Sequence, residues 1–140
     1  MLTIQYNHAI LYIDTQCIVN LCIGVFYMKI SKELAKGSTA LLVLSVISKK
    51  DMYGYQIIKT IEMASENIFS LNEGTLYPIL HSLEAEKCLE SYWCEAEGRK
   101  RKYYKITTKG LNELADKKQE WNIFSTAVTK VLGGAELAGA

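Results

Sequence analysis

Proline occurs once in these 140 residues, histidine twice and cysteine four times. One proline excludes collagen-like and proline-rich chains. The 49% apolar and 22% charged content is that of an ordinary globular protein, not a charge-driven disordered one. Four cysteines (Cys17, Cys22, Cys88, Cys94) are too few to scaffold a disulfide-stapled secreted fold, and their spacing contains no CxxC. His8 and His81 lie far apart, so no metal site is expected; the thiols read as reduced and mostly buried, in a cytoplasmic protein. Neither an enzyme nor a cofactor is expected. His81 is the lone histidine of the core region, and no nucleophile–base–orienter set or phosphate-cradling glycine loop is present.

Charge is missing from one end. Residues 1–28 hold a single charge, Asp14, and neither Lys nor Arg. The apolar run Cys17 to Met28 is interrupted by Asn20 and is too short to span a bilayer, and no basic region precedes it as a signal peptide requires. Its β-branched and aromatic residues lean towards a strand or an extended arm. The expectation is that residues 1–27 are an apolar extension upstream of a natural start at Met28. The alternative is an arm that packs on the domain or on a partner chain.

From Met28 onward the periodicities alternate between helix and strand. Leu34 to Ile47 is apolar enough to be a helix buried on more than one side. Asp51 can cap a second helix from Tyr53 to about Glu66, with Tyr53, Ile57, Ile58, Ile61 and Met63 as its apolar stripe. A third helix begins near Ser70–Glu73, capped by Ser70 or Asn72, with Leu76, Ile79, Leu80 and Leu83 inward. Thr75, Pro78, Ser82 and Ala85 face outward on it, flanked by Tyr77 and His81. Leu89–Glu95 and Arg99–Thr107 read as strands joined by a turn at Ala96-Glu97-Gly98. A long helix then runs from about Thr108 to Leu132, closed by Gly133-Gly134. The fold class is mainly α (α+β): a winged helix-turn-helix with a long C-terminal dimerisation helix. Its domains are the winged helix over 28–107, the dimerisation helix over 108–132 and a tail over 133–140.

The net charge of +1 conceals its distribution. Residues 97–105 carry +4, which leaves −3 on the other 131. A charge run alone is usually a solvated loop. This one sits on a hairpin directly after a helix whose outer face carries Thr75, Tyr77, Pro78, His81 and Ser82. In a winged helix the third helix enters the major groove and the wing lies along a phosphate backbone or an adjacent minor groove. The expected partner is double-stranded DNA, with a log–log salt slope of roughly −5 if each subunit of a dimer neutralises about three phosphates.

The last helix is longer than a small domain needs. Leu114, Trp121 and Val128 recur at seven, with Lys117, Phe124 and Val131 in the other seam position. A homodimer is expected through Leu114, Trp121, Phe124, Val128 and Val131; the alternative is a helix that covers its own domain. Trp121 beside Phe124 suggests a pocket for a flat apolar effector, or simply an interface anchor.

Three stretches together resemble the PadR family of bacterial transcriptional regulators: Met52-Tyr-Gly-Tyr-Gln-Ile-Ile58, the run Leu71 to Glu84 containing Glu-Gly-Thr-Leu-Tyr-Pro, and Gly98-Arg-Lys-Arg-Lys-Tyr-Tyr-Lys-Ile-Thr107. The resemblance covers about Leu34 to Val131. It implies a dimeric winged-helix repressor released by a small aromatic or drug-like effector. Thr75, Tyr77, Pro78 and His81 then fall on the recognition helix, Arg99, Lys100, Arg101 and Lys102 on the wing, and Tyr103 and Tyr104 on its returning strand. Trp121 matches a tryptophan of the dimer cavity in the small multidrug-responsive members. Two positions depart from the family: Cys88 stands where a glycine is usual before the first strand, and Gly98 is single where a pair is common. Residues 1–27 have no counterpart. Two rival readings are a winged-helix protein–protein module and a thiol-sensing winged-helix repressor using Cys88 and Cys94.

Overall fold

A computed structural model of the chain describes residues 30–134. The extension, with its start-site and arm expectations, and most of the tail lie outside the described residues. The apolar stretch expected as one helix is two: α1 (Lys32–Lys36), capped by Ser31, and α2 (Thr39–Ile47). Gly37 and Ser38, both poor helix-interior residues, fall at the break. No residue of α1 is buried, whereas α2 sends Val43, Leu44, Val46 and Ile47 into the core, so the two segments face different environments.

Asp51 does not cap the next helix. Residues Met52–Tyr53 form a short strand, β1, and α3 (Gly54–Ala64) starts from Tyr53, whose N–H donates to Gln56 Oε1. Ile57, Ile58 and Ile61 are buried as the helical period requires, but Met63 falls off the stripe and is exposed. Helix α4 (Glu73–Ala85) is capped by Asn72, whose Oδ1 accepts from the Thr75 N–H at 2.8 Å, and it buries Leu76, Leu80 and Leu83.

Strands β2 (Leu89–Ala96) and β3 (Arg99–Ile106) pair antiparallel around a two-residue turn, and β1 adds to the far edge of β3 to give the order β1-β3-β2. Glu97 and Gly98 both have positive φ, as a tight hairpin turn with the strands' own twist demands. The register Leu89↔Ile106, Ser91↔Tyr104, Trp93↔Lys102 puts these residues and Lys100 on the sheet face turned towards the core and α4. The opposite face carries a row of rings, with Tyr53 edge-on to Tyr103 and Tyr103 stacked on Tyr92 at 5.7 Å.

Helix α5 (Thr108–Val131) is fastened at its start. The Thr107 hydroxyl donates to the Lys87 carbonyl at 2.7 Å, and its N–H donates to the Cys88 carbonyl at 3.1 Å. Gly110 packs on that same carbonyl: a Cβ there would lie 2.1 Å from Cys88 O. The left-handed residue before the first strand is Lys87, at φ 63°, not Cys88, which is buried. The position whose backbone favours a glycine is thus Lys87, one before Cys88. Leu114 belongs to the core cluster, which corrects its place in the seam: the first turns of α5 pack on their own domain.

Candidate nucleic-acid interface

The outer face of α4 carries the expected side chains into solvent. Thr75, Tyr77, Pro78, His81 and Ser82 are all exposed, and the core-facing leucines beneath them fix the helix rotation. Tyr77 lies against Gly54 at the start of α3, and its ring is 6.4 Å from that of His81. The Ser82 hydroxyl donates to Glu86 Oε1 at 2.9 Å, so it already has a partner within the helix.

The wing cations are held differently from one another. Arg99 is exposed at the hairpin tip and has no ion pair among the described residues. Lys100 lies over the Trp93 ring at 5.6 Å, and the Arg101 guanidinium lies over Tyr53 at 4.4 Å. A ring delocalises a cation's field without neutralising it, so both keep their charge for a polyanion. Lys102 instead pairs with Glu84 of α4 at 3.4 Å. Glu84 also accepts from the Ser91 hydroxyl, and that hydrogen bond, with the Lys102 ammonium beside it, holds its carboxyl below the usual carboxylate value despite partial burial.

Two expected contacts need revision. Tyr104 is 1% exposed in the core against α4, so its side chain cannot reach DNA. Burial and the nearby Glu84 carboxylate push its phenol up. Tyr103 is half-buried in the ring row on the opposite face of the sheet. Strict alternation puts one of two adjacent tyrosines inside, a signal already present once the strand face was known. The sequence reading missed Trp93 and Glu84 and gave Asp51 the role of a helix cap. Trp93 is exposed on the wing. Asp51 Oδ2 accepts from the Tyr92 hydroxyl at 2.7 Å, which raises the Tyr92 phenol from 10 to about 12.

A second feature lies on α5. Trp121, Phe124, Val128 and Val131 are all exposed, with Trp121 and Phe124 at a ring distance of 6.0 Å. Between α1 and α5 is a cavity of about 290 Å³ walled by Leu34, Leu41, Trp121 and Phe124, with Glu33, Glu120 and Lys117 supplying charge. Cys88 and Cys94 sit at opposite ends of a stretched segment, roughly 20 Å apart at the rise of a β-strand, which excludes a disulfide between them within one chain.

Helices packed on a three-stranded sheet, an exposed polar helix face and a basic hairpin beside it define a winged-helix DNA-binding protein. Comparison with known proteins carries this further. Residues 43–116, just over half of the chain, match the transcriptional regulator PadR-like family. The chain is 32% identical over 108 residues to an uncharacterized protein of Lysinibacillus sphaericus, covering 76% of this chain and 99% of that one. It is 27% identical to the transcriptional regulator Rv3488 of Mycobacterium tuberculosis, over 74% of this chain and 91% of that one. Among solved structures, a PadR-like transcriptional regulator from Bacillus cereus superposes with a TM-score of 0.64 at 35% identity, covering 74% of this chain and 99% of that one. The chain belongs to the PadR-like family of transcriptional regulators, which bind DNA, generally as dimers, and are not enzymes. No helix among the described residues is long and apolar enough to cross a membrane.

Proposed function

We propose that the chain is a homodimeric, cytoplasmic repressor. The α4 face reads an operator through Thr75, Tyr77, Pro78, His81 and Ser82, and the wing grips the flanking backbone through Arg99, Lys100 and Arg101. The observation that carries this is the pairing, on one side of the domain, of an exposed polar helix face with a hairpin turn and second strand, residues 97–105, that carry +4 in an otherwise slightly acidic chain. Residues 28–107 act as the DNA-binding unit, and the later turns of α5 act as the dimer seam. The support for that seam is the exposed row Trp121, Phe124, Val128 and Val131: apolar side chains at heptad spacing only partly covered in the monomer. The cavity beside Trp121 takes a flat aromatic effector whose binding releases the DNA.

The test starts with selection of duplexes from a random library by the full chain. A defined operator with two half-sites one helical turn apart is expected. Replacing Arg99 to Lys102 by alanine should abolish binding to the selected duplex, while Phe124→Glu should leave a monomer on light scattering. Retention of duplex by the alanine variant would overturn the DNA reading. A panel of planar aromatic compounds that neither quenches Trp121 fluorescence nor releases the operator would overturn the effector reading.

A further inference from the structure

Trp93 is 62% exposed in the middle of β2, on the sheet face that includes Lys100 and Lys102. Its cross-strand partner is Lys102, not an apolar residue, and most of the indole stands in water. Trp93 also lines a cleft of about 340 Å³ whose opposite wall is α4, through Tyr77 and His81, and whose remaining sides include Lys100, Arg101 and Lys102. The cleft thus combines one large flat apolar surface with several cations and two aromatic groups able to hydrogen-bond. An apolar protein helix seated there would have to bury Lys100 and Arg101 without a carboxylate partner, which is costly. A nucleic-acid strand matches both features, since each deoxyribose offers an apolar face flanked by phosphates.

We propose that Trp93 is a DNA contact: its indole is the apolar wall of the cleft between α4 and the wing, against which a deoxyribose of the bound strand packs, while Lys100 at the ring takes the adjoining phosphate. The proposal rests on the DNA-binding reading and adds an uncharged residue to it. The Lys100 ammonium, 5.6 Å from the ring, holds the indole plane and is itself placed for the phosphate next to the packed sugar. An uncharged contact has a distinct signature, because it adds affinity without releasing counterions.

The experiment uses the full chain and a selected duplex of about 25 base pairs, long enough for two half-sites one helical turn apart. Trp93→Ala should weaken binding roughly tenfold, equivalent to withdrawing about 30 Å² of ring from water in each subunit of the dimer, with the salt slope unchanged. Trp93→Phe should restore most of the affinity. The chain has two tryptophans, so fluorotryptophan labelling gives two fluorine resonances, and Trp93→Phe identifies that of Trp93. That resonance should shift on addition of duplex. A stationary Trp93 resonance, or Trp93→Ala within twofold of the parent while the Arg99–Lys102 alanine variant loses binding, overturns the Trp93 contact and leaves the DNA reading intact. If the four-alanine variant keeps its affinity, both fall together.

Discussion

The four consecutive wing cations should not contribute equally, and salt dependence can separate them. Each phosphate neutralised on duplex DNA adds about −0.9 to the slope of log K against log salt. Lys102 is already paired with Glu84 at 3.4 Å, which leaves Arg99, Lys100 and Arg101 with no opposing carboxylate among the described residues. Three contacts per subunit in a dimer give a slope of roughly −5. Arg99→Ala or Lys100→Ala removes one contact from each subunit and should flatten the slope by about 1.8. Lys102→Ala should change it by less than about 0.5, because its ammonium is not released onto a phosphate. Glu84→Gln should act in the opposite sense, freeing Lys102 and steepening the slope by up to about 1.8. Both side chains of that pair are 32% exposed, and exposed pairs are worth under about 1 kcal/mol, so Glu84→Gln should cost the fold little. Fluorescence anisotropy of a labelled operator duplex between about 50 and 300 mM salt measures the parent slope and that of each variant. If Lys102→Ala flattens the slope as much as Arg99→Ala, the division of labour drawn from the Glu84 pair is wrong. If the parent slope is close to zero, the wing is not the contact.

Three further outcomes follow from local geometry. Gly110→Ala should destabilise the domain by about 2 kcal/mol or more in urea unfolding, because its Cβ would lie 2.1 Å from the Cys88 carbonyl oxygen, a backbone atom that cannot step aside; a change under about 0.5 kcal/mol would refute the close approach. Lys87→Gly should stabilise by about 1 kcal/mol, since Lys87 is left-handed at φ 63° and uses its backbone carbonyl, not its side chain, to hold Thr107. Tyr92 should ionise at about 12 where an ordinary tyrosine does so at 10, as seen by tyrosinate absorbance. The raised value means that the Tyr92–Asp51 contribution is fully present below pH 10 and is lost as pH climbs through about 12. Asp51→Asn should bring the titration back towards 10 and remove that dependence.

The parts legible in the sequence were those with a strong local period. Leu76, Leu80 and Leu83 gave the rotation of α4, and with it the exposed face of Thr75, Tyr77, Pro78, His81 and Ser82. The hairpin was equally clear, because Glu97-Gly98 interrupts two β-rich runs. The losses came from long-range pairing. Met52–Tyr53 is a strand only because β3 supplies its partners, and nothing local in two residues announces that. Asp51 looked like a helix cap until the sheet brought Tyr92 to it across 41 positions of sequence. Tyr104 was carried over from the family resemblance as a wing residue, and Leu114 was assigned outward from a heptad pattern. The core claims both, since alternation and the anchored start of α5 turn them inward.

That anchored start bears on how a ligand beside Trp121 would release DNA on the proposed reading. Thr107 and Gly110 bind α5 to the backbone at Lys87–Cys88, between the recognition helix and the first wing strand. The first turns of α5 therefore move with the DNA-reading surface. By contrast, α1, which supplies Glu33 and Leu34 to the cavity wall beside Leu41 of α2, has no buried residue. A planar ligand wedged between them leaves the α4–wing geometry of one subunit unchanged and alters how the exposed part of α5 meets its partner. The ligand's effect then falls on the spacing of two intact reading heads rather than on either head. It should lower affinity for a two-half-site operator steeply, while affinity for a duplex holding a single half-site stays within about twofold, since only differential contacts can shift the equilibrium. Equal loss on both duplexes would mean that the ligand deforms the winged helix itself.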